Sequence, residues 1–426
     1  MNKPSAPILV ALVIFPVTGA LGQTKRSAEP ITRPRTVTQA KSPQAKVVLP
    51  VQEPAVPARK VEPEKKVAPQ QPVVARESSA NRLSPYRVRS RIDEAKRVLK
   101  SRPHLTALST TPSIDYVTLA AVLPDNSQIH LVTLLKETFL TKGEEIPTTT
   151  SQGLPVTVRI IRANGVNTAV TIFDEKNRSL MPLVVEFPIE RRGVFREMAY
   201  YTSAHPALLS NDLTKSGQTY VNSMVDLAAS RLKHKGFSVS PHLIEIAKRL
   251  CIVEHVDHDR FRNDNRIALF DEIYSLYALN ELDTYRYSVS SAGAGGMVQM
   301  IPWTYNLMRQ RHPGIGLNPD FVLGMRNHGN ALEAMLLYMQ DTWNDLAADE
   351  DVQAALADKQ ITPTELMAAG YNSNAAKIPG YIRRAGAGWR YLIPRETQMY
   401  LQIYQSLEVL SKAKANHTRT VPNRSQ

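Results

Sequence analysis

The feature that most limits what this chain can fold into is a long segment, Gln23 to Pro85, that has no aromatic residue and no glycine. Nine prolines fall between Pro30 and Pro72, and most of the remainder is Val, Gln, Ala, Lys and Glu. Such a segment has too little apolar surface to offset the entropy lost on folding. We therefore predict a disordered Pro-rich linker over 23–85.

The linker also carries more than half of the chain's excess positive charge. The 426 residues include 52 Lys plus Arg and 39 Asp plus Glu, a net charge of +13, and the linker alone contributes +7. A basic balance favours an anionic partner. Two interpretations stay open, a basic arm that lies along an anionic polymer and a plain solvated spacer.

The first 22 residues have the layout of a secretory signal peptide. Lys3 precedes an apolar run from Ile8 to Phe15, and a tail of small residues ends at Gly22. The run is shorter than the about 20 residues that a membrane span needs. We expect cleavage near Gly22 and a periplasmic or extracellular, wall-associated protein, with membrane attachment only if the segment is retained.

The single cysteine, Cys251, excludes an intrachain disulfide, so packing must stabilise the fold. The secretory start and the linker's share of the charge argue against nucleic acid as the partner. No Gly-rich phosphate-binding loop and no cluster with ligand spacing occurs in 110–190, and we predict no cofactor.

The folded part divides by its residue patterns into an α+β multidomain arrangement. A helical connector over 86–109 precedes a β-rich domain over 110–190, where runs of Val, Ile and Thr predict strands and Asn164-Gly165 predicts a tight hairpin turn. We leave the role of the β-rich domain open. If the protein has partners among other cell-envelope proteins, we expect this domain to contact them. A second helical connector covers 191–239.

Helical periodicity continues from Ser240 to about residue 410. Ser240-Pro241 predicts a helix start, with a capping hydroxyl and a proline in the first turn. An apolar helix is predicted from Ile267 to Leu279. We assign 240–410 to a mainly helical domain and 411–426 to a disordered tail.

A Ser- and Gly-rich loop after that apolar helix carries a dense motif between Asn280 and Thr304. It resembles the soluble lytic transglycosylase family of the lysozyme-like superfamily, whose motif reads E-S, then S-x-x-G-A-x-G-L-M-Q-I-M-P-x-T. The matching residues are Ser290, Gly293, Ala294, Gly296, Gln299, Pro302 and Thr304.

The resemblance assigns roles to these positions. The family's interval of 18 residues between catalytic glutamate and motif glutamine, counted back from Gln299, selects Glu281 as the acid and leaves Glu254 dispensable. It also implies that Ser290 and Gln299 line the cleft floor and bind substrate. Gly293, Ala294 and Gly296 are expected to shape the backbone of the loop.

Two later segments match the family in the same order. Residues 368–374 are similar to its A-Y-N-A-G motif, and residues 393–401 to its closing P-x-E-T-x-x-Y-V motif. The resemblance therefore implies a lysozyme-like domain over 240–410, with Tyr371 and Asn372 binding substrate across the cleft. Trp303 is a further candidate for stacking on sugar.

The function implied is cleavage of peptidoglycan glycan strands between N-acetylmuramic acid and N-acetylglucosamine, leaving a 1,6-anhydro end. Most glycosidases use two carboxylates, yet no Asp or Glu occurs from Thr284 to Pro319, which fits a mechanism with one acid. Leu282 stands where the family has Ser. A catalytically weak or inactive glycan-binding module is therefore the alternative.

The segment from Glu254 to Asp259 offers a competing interpretation. His255 and His258 lie three apart with acidic residues around them, a pattern that can bind a metal on one helical face. No third ligand is identifiable, and the pattern is not H-E-x-x-H. We predict no metal site.

Overall fold

The computed structural model describes residues 85–102, 112–123, 128–203, 205, 208–290 and 292–420. The predicted signal segment and nearly all of the predicted linker lie outside these residues. The described residues form an α+β structure, an antiparallel sheet followed by a largely helical part.

The sheet uses strands in the order β2-β1-β6-β5-β4-β3, with β7 also paired to β6. The strands of the described residues are β1 (Tyr116–Val122), β2 (Ile129–Leu135), β3 (Glu145–Thr149), β4 (Pro155–Arg162), β5 (Ala169–Asp174), β6 (Ser179–Arg191) and β7 (Val194–Tyr201). The sheet nearly closes on itself, because the Ser151 amide after β3 donates to the Leu131 carbonyl in β2 at 2.8 Å. Its inner face packs Val, Ile and Leu side chains into the core.

Two turns of the sheet differ from the sequence expectation. Asn164-Gly165 does not form a two-residue turn, because β4 and β5 are joined by six residues that include a short 3-10 helix, Gly165–Asn167. The two-residue hairpin turn is instead Arg192-Gly193, with φ values of 56° and 73°. Positive φ at both positions matches the twist of the flanking strands. The sheet therefore runs to Tyr201, beyond the predicted end at 190.

The helices agree more closely with the sequence. They are α1 (Pro85–Ser101), α2 (Lys136–Phe139), α3 (Asn211–His234), α4 (Pro241–Val253), α5 (His258–Asn263), α6 (Arg266–Asn280), α7 (Pro302–Arg311), α8 (Phe321–Arg326), α9 (His328–Ala347), α10 (Glu350–Ala357), α11 (Pro363–Asn372), α12 (Ile378–Ala385) and α13 (Arg395–Thr420). The start of α4 at Pro241 is confirmed. The Ser240 hydroxyl makes no capping bond, and α13 continues through residues expected to be a disordered tail.

Helix α6 is held from two sides, which fixes its carboxyl end. A Cβ on Gly217 of α3 would lie 1.7 Å from the Tyr274 carbonyl oxygen, so the two helices approach at a distance that only glycine permits. At the end of α6, the Asn280 side chain exchanges two 2.8 Å hydrogen bonds with the Thr202 backbone. The sheet and the helical part therefore meet at this helix.

Candidate active site

A cavity of about 420 Å³ lies between the sheet and the helical part. The sheet contributes Arg162, residues 164–167 of the β4–β5 connection, and Tyr201. The helical part contributes residues 254–257 after α4, one face of α6, residues 285–289 and Gln299, together with Arg260 of α5. Its volume is within the about 300–1,000 Å³ of cavities that enclose small ligands.

Glu254 is the carboxyl group in this cavity with the most altered acidity. It follows the last residue of α4 and is half-buried, and its Oε1 accepts a hydrogen bond from the Tyr400 hydroxyl of α13. Burial raises the pKa of Glu254 from 4.5 to about 8, the nearby Glu396 raises it as well, and the Tyr400 bond partly opposes the rise. Glu254 is therefore protonated at neutral pH, as a general acid must be.

The two other carboxylates that line the cavity, Glu272 and Asp257, already accept hydrogen bonds from arginine side chains or from a backbone amide. Glu272 accepts two 2.9 Å hydrogen bonds from Arg260 and one of 3.2 Å from Arg162. Asp257 caps α5 by accepting from the Arg260 amide at 2.9 Å. Glu254 thus differs from both in its environment, since its hydrogen-bond partner is a neutral hydroxyl.

The Gly-rich loop folds into a compact turn that presents Gln299 to the cavity. Gly295 bridges both Val289 and Met300 in antiparallel pairs. A Cβ on Gly296, where φ is +69°, would lie 2.3 Å from the Met325 carbonyl oxygen. The Gln299 side-chain amide donates to the Ser288 hydroxyl at 3.2 Å and to the Gly296 carbonyl at 2.8 Å.

Two neighbouring carbonyls of this loop are bonded to different helical elements. His255 Nε2 lies 3.0 Å from the Met297 carbonyl oxygen, and the Tyr371 hydroxyl donates to the Val298 carbonyl at 2.6 Å. Burial lowers the pKa of His255 to about 3, so its ring is neutral and donates to Met297. Gln299 is thereby fixed relative to Glu254 and Tyr371.

Tyr371 lies close enough to Glu254 for the carboxyl charge to act on its hydroxyl. Burial first, and then Glu254, raise the pKa of Tyr371 well above its usual range. Of the residues that the motifs predict, the structure thus brings Gln299 and Tyr371 together around Glu254. Asn372 follows Tyr371 at the end of α11 and is half-buried.

Glu281, the acid selected by motif spacing, lies elsewhere. It follows α6, is exposed, and is not among the residues that line the cavity. Its charge acts instead on Tyr220 of α3, whose pKa burial and Glu281 both raise. The excursion through α5 and α6 separates Glu254, which follows α4, from Gln299 by 45 residues in sequence, although both residues line the same cavity.

The remaining predicted residues have structural environments of their own. The Ser290 hydroxyl accepts from the Ala294 amide at 3.0 Å and so shapes the loop. Gly293 has a φ of +77°, which agrees with its expected part in shaping the loop backbone, and a Cβ there would meet no neighbouring atom. Trp303 is 69% exposed at the start of α7, where a stacked sugar is sterically possible.

The alternative metal site does not assemble. The His255 ring stacks on Tyr285 with centroids 3.4 Å apart, and Asp259 binds Arg262 at 2.7 Å. No group of three or more His, Cys, Asp or Glu side chains among the described residues is arranged to hold a metal ion. Cys251 is buried, and burial raises the pKa of its thiol.

Comparisons with known proteins give no match to a family model, to a curated protein or to a solved structure. Within the part of the chain that the structure describes, no helix is long and apolar enough to span a membrane.

The sequence analysis treats Glu254 as dispensable and assigns no role to Tyr400 or to the sheet residues of the cavity. The sequence does contain one indication of Glu254: it directly follows the strongly apolar helix α4. A glutamate at the end of a buried helix is held in a fixed position. Tyr400 belongs to the closing motif, although no role is predicted for it. Nothing in the sequence indicates that the sheet reaches the cavity.

Proposed function

We propose that this protein is a peptidoglycan lytic transglycosylase with a lysozyme-like helical domain, and that Glu254 rather than Glu281 is its general acid and base. The observation that carries the proposal is the grouping of three motif residues, Gln299, Tyr371 and Tyr400, around one glutamate whose pKa is raised to about 8. Secretion to the periplasm or cell wall belongs to the same proposal.

The reaction needs one group that first gives a proton and then takes one back. Glu254 donates its proton to the oxygen between N-acetylmuramic acid and N-acetylglucosamine, and the bond from the muramoyl C1 to that oxygen breaks. The substrate's N-acetyl group stabilises the positive charge at C1. The Glu254 carboxylate then removes the proton of the muramoyl 6-hydroxyl as O6 bonds to C1, so no water is consumed.

The protein side chains supply acidity and position. The enclosed carboxyl stays protonated until the pH approaches 8, because a charge is poorly solvated there. After the first transfer, the Tyr400 hydroxyl stabilises the carboxylate by its hydrogen bond. Gln299 is held by the loop where it can orient the sugar over Glu254.

Mass spectrometry of the fragments released from purified sacculi tests this proposal, because an anhydro end and a hydrolysed end differ by one water. We expect anhydro products from the wild type and from Glu281→Gln, and none from Glu254→Gln. Activity of Glu254→Gln together with loss of activity in Glu281→Gln would return the role to the residue selected by motif spacing.

A glycan-binding module without catalysis is the second candidate, favoured by Leu282, which stands where the family has Ser and is 59% exposed. It predicts that the wild type binds sacculi and releases nothing, at any pH. A sedimentation assay for bound protein, run on the same samples as the mass spectrometry, distinguishes the two.

A further inference from the structure

A short segment between helix α6 and the Gly-rich loop lines the candidate cavity without forming a helix or a strand. We define the lining segment as residues 285–289, of which the cavity is lined by Tyr285, Tyr287, Ser288 and Val289. The segment consists of turns and one isolated bridge, between Val289 and Gly295. Tyr285 has a φ of 55°, a value that non-glycine residues rarely adopt. Backbone pairing alone therefore does not hold this segment, and side-chain contacts have to contribute.

Glu197 of strand β7 binds both the lining segment and helix α8 through one carboxylate. Its Oε2 accepts a hydrogen bond from the Tyr287 hydroxyl at 3.2 Å and one from the Arg286 guanidinium at 3.3 Å. Its Oε1 accepts from Arg326 of α8 at 2.6 Å. Among the described residues, Glu197 is not one of those that line the cavity. It can therefore act on a bound substrate only through the residues that it holds.

Tyr287 is held both at its hydroxyl and at its ring. The guanidinium carbons of Arg286 and Arg326 lie 5.5 Å and 5.1 Å from the centroid of the ring, within the about 6 Å over which a cation and an aromatic ring attract each other. Burial first, and Glu197 as well, raise the pKa of the Tyr287 hydroxyl above its usual range. The hydroxyl therefore keeps its proton and donates to Glu197. The two arginines that bind the carboxylate thus also contact the tyrosine.

Ser288, the next residue in the chain, connects Tyr287 to Gln299. The Ser288 carbonyl accepts from the Gly296 amide at 3.1 Å, and its hydroxyl accepts from the Gln299 side-chain amide at 3.2 Å. Gln299 has a φ of 45°, and such backbone conformations persist where the surrounding contacts hold them. A displacement of Ser288 would therefore remove one of the two hydrogen bonds that orient the Gln299 side chain.

We propose that Glu197 is a positioning residue for substrate binding: it holds Tyr287 on the sheet and, through Ser288, sets the orientation in which Gln299 meets the sugar. This inference rests on the proposed function. It gives the β-rich domain a part in the reaction, because Glu197 belongs to β7 whereas Gln299 belongs to the loop before α7.

A comparison of KM with kcat tests the inference. Full-length Glu197→Ala and wild type are assayed by the release of anhydro ends from short soluble glycan strands. KM should rise about tenfold, the effect of roughly one lost hydrogen bond to the sugar. Because Glu254 keeps its contacts, kcat should stay within about twofold. An unchanged KM beside an active wild type would overturn the inference but not the proposed function, while absence of anhydro ends from the wild type would overturn both.

Two further variants separate this role from a general loss of stability. Tyr287→Phe removes only the hydroxyl that donates to Glu197 and keeps the ring and the ion pairs, so KM should rise while thermal melting changes little. This variant decides the question if Glu197→Ala does not fold. Glu190→Ala is the matched control, because Glu190 is a carboxylate of the same sheet that pairs with Lys136 at 3.8 Å, and it should change neither constant. An unchanged KM in Tyr287→Phe, or an equal rise in Glu190→Ala, would overturn the inference.

A double-mutant cycle tests the path through Gln299. If Glu197 acts by orienting Gln299, the double variant Glu197→Ala with Gln299→Ala should have the KM of Gln299→Ala alone, because the residue that Glu197 orients is already removed. If the two increases in KM multiply instead, Glu197 acts independently of Gln299 and the inference is overturned.

Discussion

Tyr400 donates a hydrogen bond to Oε1 of Glu254, a contact between residues 146 positions apart in the sequence. It joins the closing motif on α13 to the end of α4. This bond lowers the pKa of Glu254, whereas burial and Glu396 raise it. The balance among these three effects sets the pH range in which the carboxyl can act as an acid.

Removing the Tyr400 hydroxyl should move the basic limb of the activity profile. In Tyr400→Phe the carboxylate loses a donor, so the pKa of Glu254 rises above about 8 and activity persists to higher pH. The measurement is kcat against pH from 5 to 10. Tyr404→Phe, one turn further along α13, is the control, and an identical shift in both variants would contradict a specific effect of Tyr400.

The raised pKa of Glu254 also predicts how stability depends on pH. The folded protein holds this proton up to about pH 8 and the unfolded chain only up to about 4.5, so folding is favoured below that window and weakened as pH rises through it. The contribution changes by about 1.4 kcal/mol per pH unit across the window.

Glu254→Gln should remove this contribution to the pH dependence. Urea denaturation at pH 5 and pH 8 measures it, and the variant should gain stability relative to the wild type at the higher pH. Glu281→Gln, at an exposed position, should change stability by less than about 0.5 kcal/mol. Parallel curves for the wild type and Glu254→Gln would contradict the prediction.

The Gly-rich loop allows a matched pair of substitutions. Gly293 and Gly296 both have positive φ, but only Gly296 lies against the backbone of another segment. A Cβ on Gly296 would lie 2.3 Å from the Met325 carbonyl oxygen, whereas a Cβ on Gly293 would meet open space. Gly293→Ala should cost about 1–2 kcal/mol of stability from conformation alone. Gly296→Ala should cost clearly more and lower activity through Gln299. Equal losses on thermal melting would show that the close contact is unimportant.

The linker predicted over 23–85 lies outside the described residues except for Pro85. Its charge is nevertheless sufficient for a prediction about binding. With a net charge of +7, it should increase binding to anionic wall polymer at low salt and lose this effect at high salt. A variant lacking 23–84 should bind sacculi less at low ionic strength and cleave short soluble strands at the normal rate. Equal binding at every salt concentration would exclude an electrostatic tether.

Local sequence patterns predict most of the fold that depends on local forces. The start of α4 and the apolar helix α6 are confirmed within a residue or two, and the Val-, Ile- and Thr-rich runs of 110–190 do form strands. Strand β7 is missed because its partly buried residues alternate weakly, and the turn before it uses Arg192 rather than the usual Asn or Asp. There the pairing with β6 decides the structure.

Of the candidate site, the sequence predicts only the residues that belong to a recognisable motif. Gln299 and Tyr371 are found from their motifs, and the structure brings them to one place. Glu254, the acid that we propose, is not selected from the sequence, because the motif fixes an interval along the chain whereas tertiary packing decides which residues lie close together. The position of the sheet beside the cavity has no local signal, since it depends on how the sheet packs on the helical part.

The excursion through α5 and α6 begins and ends at one place, because His255 and Tyr285 stack with centroids 3.4 Å apart. Chains in which this excursion is shorter or longer would therefore keep the glutamate and the glutamine in the same place. Sequence profiles that fix the interval between these two residues will overlook such chains. Profiles that leave the interval open, and require an apolar helix directly before the glutamate, should retrieve them from genomes.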